Sequence, residues 1–254
     1  MRDLQRQQYL AYQLRSIAGE DAYLEAGLLL DYVDAHPDTD LSALLQRRLS
    51  GEPLQYVLGE WEFFGLPFST DHRALIPRPD TEILCETALS LLQKGDRVLD
   101  LCCGSGCIGI ALAAHTPIDL TSADISEDAL ALTRENAKRN GIALQTVQSD
   151  MFSNVEGTFD MIVCNPPYLN EQEMRSLDAS LLFEPQNALD GGKDGLDFYR
   201  CIAAQYDSYL RPGGYLLLEI GYTQEKAVCA LFHGARCIRD YGDRPRVVVV
   251  QKHD

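Results

Sequence analysis

Phe159-Asp160-Met161-Ile162-Val163-Cys164-Asn165-Pro166-Pro167-Tyr168 is an apolar, strand-forming run that ends abruptly in Asn-Pro-Pro-Tyr. Asn165 precedes a proline, which pushes it out of the helical region towards an extended conformation. Pro166 and Pro167 carry no N–H and cannot extend a sheet ladder. A buried strand therefore stops here. It presents one amide side chain, a rigid carbonyl-bearing corner and one aromatic ring. In an open α/β sheet, ligands bind just outside the carboxyl ends of the strands. This corner is the first candidate site.

The flanking chain reads as strand, helix, strand, helix. Arg97 to Leu101 is a strand, and Gly104-Ser105-Gly106 is a tight turn into a helix from Cys107 to Ala114. A second strand runs from Ile118 to Ala123 and ends at Asp124. Ser126 caps a helix through Asn140, and Gly141 terminates it. Leu144 to Gln148 is a third strand, followed by Asp150. Beyond the corner, 169–194 reads as a long connecting segment whose Asp190-Gly191-Gly192-Lys193-Asp194-Gly195 is a loop. A helix from about Leu196 to Tyr209, a turn at Pro212-Gly213-Gly214 and a fifth strand, Tyr215 to Ile220, come next. A helix over about 223–233 precedes two closing strands around Gly242-Asp243. This alternation implies a mostly parallel sheet with helices on both faces.

The chain before Asp96 is different. Residues 1–58 read as helices, with apolar residues at 24, 28, 29, 32 and 33 at helical spacing. Pro37 ends that helix. Thr39 or Asp40 caps another through Leu49, and Gly51-Glu52-Pro53 precedes a short one. Trp61, Phe63, Phe64, Leu66 and Phe68 around Gly65 and Pro67 predict a β-hairpin joining two domains. Asp80 or Thr81 then caps a helix through Leu92. The expected domains are a helical one over 1–59, a hairpin linker over 60–76 and an α/β domain over 77–254.

Composition narrows the partners. The 254 residues are 46% hydrophobic and 24% charged, with a net charge of −16. Tight duplex binding needs clustered Lys and Arg, whereas residues 1–70 hold 5 basic and 11 acidic side chains. Direct nucleic-acid binding is therefore not expected. No run approaches a membrane span, and Met1-Arg2-Asp3-Leu4-Gln5-Arg6 lacks the apolar core of a secretion signal. The eight cysteines form no C-x-x-C pair. They read as reduced thiols of a cytoplasmic protein, and no metal site is expected at Cys102, Cys103 and Cys107.

The strand ends form a nucleoside-binding set. The turn Cys102-Cys103-Gly104-Ser105-Gly106 allows close backbone approach, and a carboxylate at Asp124 can accept both ribose hydroxyls. The turn is not G-x-G-x-x-G, and no helix N-terminus is left clear for a pyrophosphate. Asp100, Asp124 and Asp150 suit a cationic cofactor. S-adenosylmethionine, with its sulfonium and ammonium, fits better than a nicotinamide dinucleotide.

Four segments carry a family resemblance. They are Gly51-Glu52-Pro53-Leu54-Gln55-Tyr56, Leu75-Ile76-Pro77-Arg78-Pro79-Asp80-Thr81-Glu82, Asp100-Leu101 with Gly104-Ser105-Gly106, and Asn165-Pro166-Pro167-Tyr168. Phe183-Glu184-Pro185, Gly191-Gly192 with Asp194-Gly195, and Arg239-Asp240-Tyr241-Gly242 follow in order. The set resembles the bacterial peptide chain release factor glutamine methyltransferases, the PrmC/HemK family, over nearly the whole chain. The resemblance implies a Rossmann-like, S-adenosylmethionine-dependent methyltransferase fold with a seven-stranded, mostly parallel sheet. It implies methyl transfer to the side-chain amide of the glutamine in the Gly-Gly-Gln motif of class-I release factors. It also implies an N-terminal helical domain that contacts the factor. By position, Asp124 with Ile125 would hold the ribose and its surroundings, and Asp150 with Met151 would border the adenine. Asn165, Pro166, Pro167 and Tyr168 would hold the glutamine, with Arg78 either contacting substrate or forming a linker salt bridge. A monomer is expected. Two positions depart from the family pattern: Cys102 stands where a glycine is usual, and Met151 where an aromatic is frequent.

The corner suits an amide. An amide nitrogen is a poor nucleophile because its lone pair is delocalised into the carbonyl. If Asn165 Oδ1 and the Pro166 carbonyl each accept one N–H, the nitrogen is oriented and the positive charge developing on it is stabilised. Tyr168 would pack against the planar amide. No nucleophile or general base of the protein is required, and Glu219 at the end of strand five reads only as a structural acceptor. Two other readings use the same residues. One is an adenine amino methyltransferase acting on a flipped or unpaired base. The other is a binding protein in which Cys102 has spoiled the cofactor pocket.

Overall fold

The computed structural model describes residues 2–253. Residues 1 and 254, the outermost positions of the expected domains, lie outside the described residues. Contacts divide the chain into two compact units: residues up to Glu60 with Asp178–Phe183, and Trp61–Leu177 with Glu184 onwards.

The first unit is helical: α1 (Arg2–Ala18), α2 (Ala22–Ala35), α3 (Leu41–Leu49) and α4 (Leu54–Leu58). Asp40 caps α3, its side chain accepting from Ser42 N. Leu10, Leu14, Ala26, Leu29, Leu44 and Val57 are buried together with an ion pair, Arg48 to Glu25 at 2.7 Å. Arg48 is buried here, and the fork of two bonds to Glu25 answers its charge.

The hairpin β1 (Glu60–Phe63) and β2 (Leu66–Ser69) opens the second unit from Trp61 on. Phe63 and Phe68 are fully buried in the core beneath the sheet, so the hairpin packs as part of this unit. After α5 (Glu82–Leu89) come β3 (Arg97–Leu101), α6 (Cys107–His115), β4 (Asp119–Asp124), α7 (Glu127–Arg139), β5 (Gln145–Gln148) and β6 (Phe159–Cys164). Then follow α8 (Glu171–Met174), α9 (Asp197–Tyr209), β7 (Leu210–Glu219), α10 (Glu225–Cys229), β8 (Arg236–Arg239) and β9 (Pro245–Gln251). The larger sheet has seven strands in the order β5-β4-β3-β6-β7-β9-β8. β3, β4, β5, β6 and β7 pair in parallel, and β9 runs antiparallel between β7 and β8.

The central strands read as continuous apolar runs because both faces are covered. Alternate residues feed opposite layers. Val98, Met161, Val163, Leu217, Val247 and Val249 pack towards α5 and α6. Leu99, Ile162, Leu216, Leu218, Val248 and Val250 pack with Phe152, Tyr199 and Phe232. Each such side chain contributes about 2 kcal/mol of burial. The crossing from β3 outward to β4 and from β6 outward to β7 opens a crevice at the carboxyl ends of β3 and β6.

Three features, in β7 and α5, differ from the sequence expectation. Pro212-Gly213-Gly214 does not end one element and start another. Phe159 pairs with Leu210 and Met161 with Tyr215, so the residues between bulge out of a single long β7. The helix expected to run through Leu92 stops at Leu89, where Leu91 and Leu92 both donate to the Ala88 carbonyl. Neither Asp80 nor Thr81 caps it with a side chain. Asp80 instead pairs with Arg246 at 2.8 Å, and the Thr81 hydroxyl turns to Asn165.

Candidate functional site

A cavity of about 240 Å³ lies in the second unit at the carboxyl ends of β3, β4 and β6. The turn after β3 forms its floor. Cys102 has φ +57°, Gly104 +54° and Gly106 +77°, so the backbone folds back tightly there. Two side chains of α7 anchor this turn. Thr133 Oγ1 donates to the Gly104 carbonyl at 2.9 Å, and Asn136 Nδ2 donates to the Ser105 carbonyl at 3.0 Å. Asn136 also accepts from Ser69 N at 2.7 Å, which ties the hairpin to the same turn.

Asp124 ends β4 on the cavity wall. Its Oδ2 accepts from Gly104 N and its Oδ1 from Ser126 N, both at 2.9 Å. Each oxygen keeps a lone pair for a ligand hydroxyl. Burial pushes this carboxyl up, and the backbone donors of Ser126 and Gly104 hold it down in part. Beside it, Ile125 is exposed, an apolar ledge at the rim. Asp150 and Met151 close the far side. Met151 has φ +51°, held by the Ser149 hydroxyl, which donates to the Met151 carbonyl at 2.8 Å. Its sulfur lies 3.9 Å from Cys102 Sγ.

Cys103, Ser105, Asn165, Pro167 and Arg78 also line the cavity; Asp100, Gly106, Pro166 and Tyr168 do not. Asp100 sits fully buried beneath the turn, its Oδ2 accepting from Gly109 N at 3.0 Å. Its Oδ1 has no partner among the described residues, and burial pushes the carboxyl up to about 8. Asp100 therefore ties the end of β3 to helix α6. Arg78 pairs with Glu184, whose other oxygen accepts from Ile76 N at 3.0 Å. The salt bridge thus exists while Arg78 still faces the cavity, and the two readings of that residue coexist.

The Asn-Pro-Pro-Tyr corner is clamped from behind. Leu169 N donates to the Leu189 carbonyl at 3.0 Å, and Gly191 N to the Leu169 carbonyl at 2.8 Å. Gln224 Nε2 donates to the carbonyls of both Tyr168 and Gly195 at 3.0 Å. Tyr168 packs with the apolar layer on its side of the sheet, and burial pushes its phenol up to about 12, so the ring is neutral. Sequence reading quoted Thr81, Glu184, Gly191 and Gly195 within segments of the resemblance but gave them no place in the site, and it did not single out Phe198 or Gln224.

The cavity offers carboxylates and apolar walls. Its basic side chains are already paired, Arg73 with Asp71 and Glu135, and Arg78 with Glu184. That set matches a hydroxyl-bearing cationic ligand better than a pyrophosphate.

The Cys102 departure has a measurable consequence. A non-glycine residue in the left-handed region is uncommon, and a β-branched one there is a genuine outlier. Cys102→Gly relieves backbone strain but loses the contact with Met151, so its stability should change by less than about 1 kcal/mol. Cys102→Val should lose about 2 kcal/mol. Denaturant midpoints of the two variants compare them directly, and equal losses would contradict the strain argument.

Among known proteins, the family described as Methyltransferase small domain matches residues 79–195. The release factor glutamine methyltransferase of Haemophilus influenzae is 40% identical over 238 residues, 85% of this chain and 82% of that protein. That of Shewanella oneidensis is 38% identical over 263 residues, 93% of this chain and 91% of that protein. A solved methyltransferase from Pyrococcus furiosus superposes with a TM-score of 0.59 at 19% identity, over 76% of this chain and 91% of that one. The Thermus thermophilus 16S rRNA N2 G1207 methyltransferase, solved with AdoMet and guanosine, superposes with a TM-score of 0.56 at 19% identity over 76% of this chain and 50% of that one. These two structural likenesses concern the fold.

Proposed function

The chain belongs to the release factor glutamine methyltransferases, and we propose that it transfers a methyl group from S-adenosylmethionine to the glutamine side-chain amide of the Gly-Gly-Gln motif in class-I release factors. The observation that carries this reading is identity of about 40% to release factor glutamine methyltransferases along most of the chain. The acidic surface supports a protein substrate over a nucleic acid, with a net charge of −16. No helix among the described residues is long and apolar enough to cross a membrane. We propose a cytoplasmic monomer whose helical first unit contacts the factor.

S-adenosylmethionine, when bound, supplies an electrophilic methyl on a sulfonium. The residues that would hold it are those of the cavity wall. Backbone groups at Cys102, Cys103 and Gly104 border the methionine end, over Ser105, Gly106 and the buried Asp100. Asp124 accepts the ribose hydroxyls. Ile125 and Met151 present apolar surface to the adenine, and Asp150 accepts at its edge. A thioether at Met151 is polarisable and suits a flat π-face.

Asn165 and Pro166 orient the substrate. The Asn165 Oδ1 and the Pro166 carbonyl each accept one N–H of the glutamine amide. The nitrogen then has one free face, and both acceptors stabilise the positive charge that develops on it. Pro167 stiffens the corner, Tyr168 packs against the amide plane, and Arg78 borders the substrate side. The surplus proton leaves to water.

The test is methyl transfer from labelled S-adenosylmethionine to purified release factor, beside a Gly-Gly-Ala variant of that factor and unmethylated DNA and RNA. Label is expected on the wild-type factor alone. Label on nucleic acid, or on the alanine variant, would overturn the reading.

A further inference from the structure

Glu219 ends β7 behind the cavity wall, 1% exposed. Thr81 and Asn165 stand beside its carboxyl and hold it down in part. Asn165 Nδ2 in turn lies 3.4 Å from Thr81 Oγ1. Glu219 Oε2 has no partner among the described residues. The Asn165 side chain therefore meets an acceptor chain on its inner side and the cavity on its outer side.

The direction of that chain follows from hydrogen-bond inventory. An ionised carboxylate only accepts, and threonine has one hydroxyl proton. Thr81 must donate that proton to Glu219, which leaves its lone pairs for Asn165. Asn165 must then turn its NH2 end inward. Its oxygen is the end left for the cavity.

We propose that Glu219 is a positioning residue for methyl transfer: through Thr81 it holds the Asn165 amide with Oδ1 towards the cavity, where that oxygen accepts an N–H of the substrate amide. This rests on the role given to Asn165 above. It also explains why Thr81 does not cap α5, although it stands where a cap is expected.

Protonation on the carboxyl oxygen that faces Thr81 reverses the chain. A neutral carboxyl donates to Thr81 Oγ1, Thr81 donates to Asn165, and the asparagine presents its NH2 to the cavity. Two N–H groups then oppose each other. Burial pushes Glu219 up to about 7, against the pull of Thr81, Arg246 and Asn165. The groups that face it come from several elements. Arg246 lies on β9, Asp80 and Cys85 at and within α5, Cys107 on α6, Tyr168 at the corner, and Tyr199 on α9. Arg246 is itself shared between Asp80 at 2.8 Å and Asp240 at 3.2 Å. The phenols and thiols of this set are all pushed up by burial and stay neutral near pH 7.

Two shape-conserving variants test the assignment. Glu219→Gln can donate as well as accept, so it no longer dictates the direction. Thr81→Val removes the middle link. Each should lower turnover about tenfold or more at saturating cofactor, with unchanged S-adenosylmethionine affinity. The double variant should be no worse than the poorer single one, because the residues act as one unit. In the wild type, turnover should fall as pH drops through about 7. That acid limb should vanish in Glu219→Gln.

A second readout needs no substrate. The side-chain NH2 resonances of Asn165, assigned by their loss in Asn165→Ala, should shift with pH around 7 in the wild type and stay flat in Glu219→Gln. Resonances that do not titrate in the wild type, or an acid limb that persists in Glu219→Gln, would overturn the proposal. A wild type that leaves the release factor unlabelled would instead remove the proposed substrate, and the resonance titration would still decide the role of Glu219.

Discussion

Asn165→Ala should lose about a hundredfold to a thousandfold in turnover while binding S-adenosylmethionine as the wild type does. The reason is geometric. The substrate nitrogen gains positive charge only as the new bond forms, so an acceptor on its N–H acts mainly in the transition state. Removing that acceptor lowers kcat and kcat/KM together. Cofactor binding rests on other residues, among them Asp124, whose two backbone donors are unaffected. Asn165→Asp is the informative companion. It keeps an acceptor, but it places a second carboxyl against Glu219, and two such groups cannot both ionise easily. Its turnover should fall too, and recover as pH rises. Titration calorimetry of the cofactor and single-turnover kinetics separate the two effects. Alanine with turnover within about threefold of wild type would remove Asn165 from the chemistry.

The strands of the α/β unit, their order of appearance and the carboxylates Asp124 and Asp150 after β4 and β5 were legible because those signals are local. Apolar runs, Gly and Pro punctuation and the Ser126 cap are all written within a few residues. The sheet order at its far edge was not. β9 lies antiparallel between β7 and β8, because the short connection around Gly242 and Asp243 folds β9 straight back on β8. The cavity wall was legible at Asp124, Asp150 and Asn165 for the same local reason. What stayed hidden was every contact between residues far apart in the chain. Glu184 reaches Ile76 and Arg78 across more than a hundred positions. Thr81 read as a cap because nothing nearby signals Asn165 and Glu219 as its partners. Cys102 showed the converse. Cys102 holds a left-handed φ of +57° in the turn, so the departure from glycine marks local strain within an unchanged fold.

Gly195 should tolerate alanine far less than Gly141 does, although both have positive φ, +74° and +68°. A Cβ at Gly141 meets nothing within 4 Å. That variant bears only the left-handed penalty, about 1 kcal/mol. A Cβ at Gly195 would stand 2.4 Å from the Tyr168 carbonyl oxygen and 2.8 Å from Gln224 Nε2. The same Gln224 nitrogen bridges Tyr168 and Gly195, so the clash falls on the clamp that holds the corner. Neither neighbour can yield cheaply. Tyr168 follows two prolines with fixed φ, and Gln224 is held by its bond from Gly221 N at 3.0 Å. Gly195→Ala should therefore lose about 2–4 kcal/mol of stability by overpacking and strain together. The corner must shift to relieve the contact, and a displacement of order 1 Å costs about a hundredfold in rate. Gly141→Ala should keep full turnover. Denaturant midpoints and turnover measured on both variants at a temperature where each is folded decide the matter. Equal stability losses with equal turnover would mean that the glycine loop merely passes the corner; a loss of turnover confined to Gly195→Ala would mean that the loop sets where the substrate amide lies.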